Sequence, residues 1–251
     1  MKTTQNSLKI KFLFNLNTLI RESMKWNNKF NYPKTSRSIE DGMRKYLFGE
    51  EKLPSVTSIL SATKSEEDKA SLELWKQRVG YKEANRIKSE ASSRGTSMHS
   101  YIEDYLRGRI NESFFESNEQ YKNMAKEIIE KGLKGKLEEI YGMEETLYYP
   151  NKYAGTADLI AQYKGKICII DFKQSNKPKK VDFIQDYLLQ LGAYTLAHDI
   201  VYETKMNAGI ILLCTKDILF QEFRIEGAEL TMYQNLFLGR LKKFNEINNL
   251  T

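Results

Sequence analysis

The chain has 251 residues, 41% of them hydrophobic and 29% charged, and a formal net charge of +6. That length holds one large domain or two small ones around a sizeable core, and the mild basic excess suits a polyanionic partner. The two cysteines, Cys168 and Cys214, exclude a disulfide framework and a four-thiolate iron–sulfur cluster, and no apolar run reaches the ~20 residues of a membrane span.

Residues 1–51 read as an N-terminal extension. Positions 9–20 mix apolar and basic residues and fit a strand or a short helix, 31–37 with Pro33 reads as a loop, and 46–49 as a weakly apolar break. No secretory signal is visible. Lys2, Lys9, Lys11 and Arg21 make only a faint match to a transit peptide, so a cytoplasmic location is expected ahead of a mitochondrial one.

Residues 52–110 read as a helical lobe. Ser65, with Asp68 after it and Glu66 and Glu67 in the first turn, predicts a helix start, and Gly80 predicts its end. A second helix is expected over 81–92. Arg94-Gly95-Thr96-Ser97 reads as a break, and a third helix is expected over 98–106. His99 and Glu103 share one face of it. A histidine on a helix is more often structural than a ligand, so His99 signals chemistry only in context.

Residues 111–251 read as an α/β core with a C-terminal helix. Positions 109–118 are a polar connection carrying Phe114 and Phe115, and 118–141 predicts a helix through Met124, Ile128, Leu133, Leu137 and Ile140. Strands are expected at 145–149, 153–163 and 166–173, as a meander. A helix follows over 181–198, then strands at 207–214 and 218–225 and a helix over 228–248. The fold class is therefore α/β: a mixed central sheet of about five strands, flanked by helices, with the N-terminal helical lobe beside it.

The hairpin between the second and third strands of the meander carries the chemistry. Lys164-Gly165 reads as its turn, and Asp158 and Asp171 lie equally far on either side, so the two carboxylates oppose each other. Strand alternation puts Lys173 on the face of Asp171. Like charges at such spacing repel, and a hard divalent cation resolves the repulsion. Alone, Asp-x-Lys on a strand is most often a solvated face.

The ordered set of His99 in Arg94-Gly-Thr-Ser-Met-His99, Gly155-Thr-Ala-Asp158, Asp171-Phe-Lys-Gln-Ser175 and Gln190-Leu-Gly-Ala-Tyr194 resembles the PD-(D/E)XK nuclease superfamily, in its RecB-type branch. Within it, the Pro54-Ser-Val-Thr57 element, Trp75 and the Gly-Thr before His99 resemble the mitochondrial and phage genome-maintenance exonucleases. The resemblance implies a restriction-endonuclease-like core and a DNA exonuclease acting on single-stranded ends in replication, recombination or repair, in a bacterial, phage or organellar setting. An endonuclease of the same superfamily and a non-catalytic DNA-binding module are the alternatives.

The resemblance implies His99, Asp158, Asp171 and the Phe172 carbonyl as ligands of Mg²⁺ or Mn²⁺. It implies Asp158, Asp171, Lys173, Gln190 and Tyr194 as catalytic, the last two fixing the surroundings of the lysine or holding the substrate strand. Arg94, Ser175, Lys177 and Lys179 are the expected phosphate contacts. Glu103 either orients His99 or is a solvated acid. Gln174 departs from the threonine often found there, and the branch's iron–sulfur cysteines are absent.

Overall fold

The structure is a computed structural model describing residues 24–40, 42–110 and 119–249. The expected element at 9–20 and the phenylalanines of the 109–118 connection lie outside the described residues. Among those described, eight strands form two sheets. β1 (Ser36–Glu40), β2 (Met43–Phe48) and β3 (Glu51–Pro54) make a small antiparallel sheet. The sequence reading took 31–37 for a loop and 46–49 for a break. These strands are short and largely half-exposed, so their alternation is faint, and their turns rest on Gly42 and Gly49 at φ +74° and +63°.

The main sheet has the spatial order β4 (Leu137–Tyr149), β5 (Tyr153–Tyr163), β6 (Lys166–Ser175), β7 (Ala208–Thr215) and β8 (Phe220–Glu226). All pairs are antiparallel except β6–β7, which is parallel. A parallel neighbour needs a crossover, and a long helix, here α5 (Gln185–Tyr202), supplies it. Every residue of β7 is buried, which fits a strand covered on both faces.

The remaining helices are α1 (Val56–Ala62), α2 (Glu66–Val79), α3 (Tyr81–Leu106), α4 (Gln120–Ile128) and α6 (Gly227–Ile247). Alternation along β5 and β6 divides the core in two. Ile160 and Ile169 face a layer built by α1, α5 and α6. Leu159, Cys168, Ile170 and Phe172 face the opposite layer, where Met98, Ile102 and Leu106 of α3 meet Met124 and Ile128 of α4. Both cysteines are free and buried, and burial pushes both thiols up to about 12. None of the described helices is long and apolar enough to cross a membrane.

Three expected boundaries move. The break at 94–97 is absent, because α3 runs unbroken through Gly95. The helix expected over 118–141 stops early: a π-helical turn at Ile129–Leu133 leads to Gly135 at φ +66°, and Leu137 begins β4. Leu133, Leu137 and Ile140 match a helical period, yet the last two lie in a strand. The helix expected from 181 opens as a 3₁₀ turn, Val181–Phe183, before α5. Ser65 caps α2 as expected, its Oγ accepting the Asp68 N–H at 3.0 Å.

Candidate active site

The site lies where two strands part. The β5–β6 register has the expected symmetry, Tyr163 facing Lys166 and Leu159 facing Ile170. The ladder ends at that last pair, while β5 stays with β4 to Tyr153 and β6 stays with β7 to Ser175. Asp158 and Asp171 are the next residues along. Asp158 does not continue the ladder with its main chain. Its Oδ2 instead accepts the Phe172 N–H at 2.7 Å, so a carboxylate satisfies an amide that the parting strand would leave bare.

His99 reaches the same peptide unit from α3, its Nε2 lying 2.8 Å from the Phe172 carbonyl oxygen. A carbonyl only accepts, so Nε2 carries the hydrogen and Nδ1 presents its lone pair when the ring is neutral. Nδ1 is 3.6 Å from Asp158 Oδ2. Two lone-pair donors facing each other at that distance need a proton or a cation between them. The Phe172 carbonyl keeps a second lone pair, as the expected ligand role requires.

Asp171 is 1% exposed. Its Oδ2 faces the Lys173 ammonium, and Oδ1 has no hydrogen-bond partner among the described residues. Burial pushes the Asp171 carboxyl up, the Lys173 charge pulls it down and Asp158 pushes it up again, to about 6. Burial pulls Lys173 down, but the Asp171 and Asp158 charges outweigh it and hold the ammonium above its ordinary range. Lys173 Nζ also sits 5.1 Å from the centre of the Tyr187 ring. A buried carboxylate oxygen with no donor, beside Asp158 and His99, fits a hard divalent cation.

Gln190 and Tyr194 lie one turn apart on α5, with Gln190 Nε2 donating to the Tyr194 hydroxyl at 3.0 Å. The Tyr194 ring packs on Gly155 of β5 so closely that a Cβ there would run into it. That close approach accounts for the glycine of Gly155-Thr-Ala-Asp158. Burial raises the Tyr194 phenol well above its ordinary range, so it remains a neutral wall of the site.

The sequence reading missed Glu144. It lies on β4 opposite Asp158, between the pairs Met143–Leu159 and Glu145–Ala157, at φ +57°. His99, Glu144 and Asp158 each bring a ligand atom within 4.8 Å of the others. The surrounding protein, and then the Asp158 charge, push the Glu144 carboxyl up to about 7. Its surface is exposed, so the Asp158 repulsion is the firmer of the two causes. The acid pair Glu144-Glu145 was a visible signal, but with a helix expected through 141 the strand was begun at 145, eight residues after its observed start at Leu137.

The expected phosphate contacts have these partners within the protein. Arg94 donates to the Gln174 side-chain oxygen at 3.0 and 2.8 Å and also to Asn176. Ser175 is buried and its hydroxyl is engaged by the Lys177 carbonyl. Lys177 is exposed, while the Lys179 main chain is held in both directions by Gln221. Glu103 pairs with Arg107 at 2.7 Å, on its own helix.

Gln174 also donates to the Ala91 carbonyl at 2.9 Å, so with Arg94 it ties the helix of His99 to the strand of Asp171. Gln174→Ala should lower stability by about 1–3 kcal/mol, read as a shift in the urea midpoint, because it strips partners from half-buried groups. A midpoint equal to the wild type would mean the tie is slack.

No protein-family model matches the chain. It is similar to mitochondrial genome maintenance exonuclease 1 of Homo sapiens, 31% identical over 211 residues, covering 77% of this chain and 58% of that protein. The protein of that name from Xenopus tropicalis is 31% identical over 212 residues, with the same two coverages. The Mus musculus protein is 31% identical over 175 residues, covering 66% and 50%. The chain thus spans about half the length of these relatives. A solved structure, that of SSO0001, aligns with a TM-score of 0.36 at 16% identity over 68% of this chain and 70% of that one, a likeness too low to bear on the site.

Proposed function

We propose that this chain is a divalent-cation-dependent DNA exonuclease of the PD-(D/E)XK type, hydrolysing phosphodiester bonds at single-stranded ends. The observation that carries the reading is the convergence of His99, Asp158, Asp171 and Lys173 on the Phe172 peptide unit where β5 and β6 part. The name of the relatives, an exonuclease of genome maintenance, supports the same reaction class. That name is a mitochondrial one and lends no support to a cytoplasmic setting.

His99, Asp158, Asp171 and the Phe172 carbonyl are the groups that would hold Mg²⁺ or Mn²⁺. When bound, such a cation polarises a scissile phosphate and offsets charge on it. Lys173 directs its ammonium at the phosphoryl oxygens as their charge develops. His99 keeps Nε2–H on the Phe172 carbonyl, which fixes the ring and leaves Nδ1 for ligation. Tyr194 and Gln190 wall the site on the α5 side. α2 buries none of its side chains and α3 buries only Ala84 before Met98. This lobe offers its exposed Leu72 and Leu74 to a passing strand, and Lys177 offers charge to its phosphates.

Incubation with single-stranded DNA labelled at either end, with Mg²⁺, should release labelled nucleotides or short products. A covalently closed single-stranded circle should stay intact. Cutting of the circle would replace the exonuclease reading with an endonuclease one. Failure to cut any DNA, with Mn²⁺ still bound, would leave a binding module.

A further inference from the structure

We propose that Phe183 is a stacking platform for one unpaired nucleobase of the bound strand, with Lys177 and Lys180 holding the neighbouring phosphates. The inference rests on the nuclease reading above and deepens it, because this ring makes the site select a single strand over a duplex.

Nothing within the protein explains why this ring stands in water. Phe183 is 72% exposed, and no other described phenylalanine is exposed. Ile184, next to it, is 1% exposed and anchors the turn in the core. The segment around the ring is basic, with Lys177, Lys179 and Lys180 against one acid, Asp182. Lys177 and Lys180 are exposed, and neither has an ion pair among the described residues. An exposed aromatic face among free ammonium groups matches a single strand, whose bases offer π-faces and whose phosphates offer charge. A base inside a duplex is stacked on both faces and must be unstacked at a cost before a ring can take one of them.

The position of the segment points to the bound strand. It leaves β6 at Ser175, two residues beyond Lys173, and comes back at Tyr187, whose ring centre is 5.1 Å from Lys173 Nζ. Phe183 is four residues before Tyr187, so their Cα atoms are at most about 14 Å apart. A strand with its phosphate at Lys173 therefore passes close to this ring.

The platform is also rigid. The Lys216 N–H donates to the Ser175 carbonyl at 2.9 Å, and the Lys179 main chain is held by Gln221 at 2.8 and 2.9 Å. The Phe183 N–H donates to the Lys180 carbonyl at 3.0 Å, and Gln185 Nε2 donates to the Val181 carbonyl at 3.0 Å. A ring fixed before binding loses little entropy when a base settles on it.

The test measures binding to the full chain in EDTA, by fluorescence anisotropy of three DNAs. They are a single-stranded oligonucleotide, copies with one abasic residue moved stepwise along it, and a blunt duplex of the same sequence. The wild type should lose about 5–150-fold in affinity when the base at one position is removed. Phe183→Ala should lose the same factor on the intact strand, ignore the abasic residue at that position, and leave duplex affinity unchanged. Phe183→Trp should bind the intact strand at least as tightly as the wild type. Lys180→Ala should weaken intact and abasic strands alike and lower the salt slope by about 1. Phe183 is exposed, so its variants should keep the wild-type urea midpoint. The inference is overturned if the wild type does not bind the strand, if Phe183→Ala binds it as tightly as the wild type, or if that variant keeps the abasic effect. Should the wild type cut single-stranded DNA with Mg²⁺ while Phe183→Ala binds unchanged, only this inference fails. Should the expected binding pattern appear without any cutting, only the nuclease reading fails.

Discussion

Lys173→Ala should lower the cleavage rate on single-stranded DNA by about 10²–10³-fold, the cost of removing one preorganised charge from a developing oxyanion. The same substitution should unsettle the metal-free protein. Asp171 is buried, its Oδ2 faces this ammonium, and Oδ1 has no partner among the described residues. Removing one member of a buried pair strands the other charge at a cost of about 3–5 kcal/mol. A divalent cation can take the place of the lost positive charge, so the thermal midpoint of Lys173→Ala should rise further with Mg²⁺ than that of the wild type. Equal cleavage rates in variant and wild type would remove Lys173 from the mechanism. An equal Mg²⁺ response would show that the cation and the ammonium do not answer the same carboxylate.

The metal-free site should also give an unusual pH dependence. The Asp171 carboxyl stands at about 6 in the folded protein against 3.8 for an unperturbed one. Its folded value is raised, so the folded state binds the proton more tightly. Its contribution to stability is full below the unfolded value and is lost as pH climbs through about 6. Buried His198 acts in the opposite sense. Burial lowers it to about 4, so it charges on unfolding and weakens the protein as pH falls. The two overlap between pH 4 and 6, and the comparison that isolates Asp171 is wild type against Asp171→Asn. The stability of the wild type relative to that variant should fall by on the order of 2 kcal/mol from pH 4 to pH 7 without metal. Saturating Mn²⁺ should reverse the trend, since the ion binds the ionised form. Urea unfolding at each pH measures it, and a difference independent of pH would mean that Asp171 is ionised at no cost.

What was legible in the chain follows the strength of each local signal. The hairpin could be placed to the residue because Lys164-Gly165 is a sharp turn and β-branched runs flank it, and the observed register has that symmetry. His99, Asp158, Asp171 and Lys173 meet where β5 and β6 part, and Tyr194, bonded to Gln190, packs on Gly155. The sheet β1–β3 went unread because its strands are short and half-exposed, although glycines in the left-handed region mark both turns. The helix expected at 118–141 shows the reverse failure, a helical spacing that tertiary pairing overrode once Gly135 turned the chain. Glu144 was lost with it. Its role depends on which residue of β4 stands opposite Asp158, and cross-strand register is not written in any one segment. Arg94 illustrates a further limit: its partners within the chain, Gln174 and Asn176, lie about 80 residues away and no local motif points to them.

The Phe172 peptide unit has a consequence for observation as well as for chemistry. Its N–H is held by the Asp158 carboxylate and its carbonyl by the His99 ring. Both of its hydrogen bonds therefore end on groups whose charge changes when a proton or an ion arrives. In a ¹⁵N-labelled sample this one amide is a built-in gauge, its resonance and solvent-exchange rate following the state of the fork. A single backbone signal can thus tell an empty site from a filled one before any substrate is added.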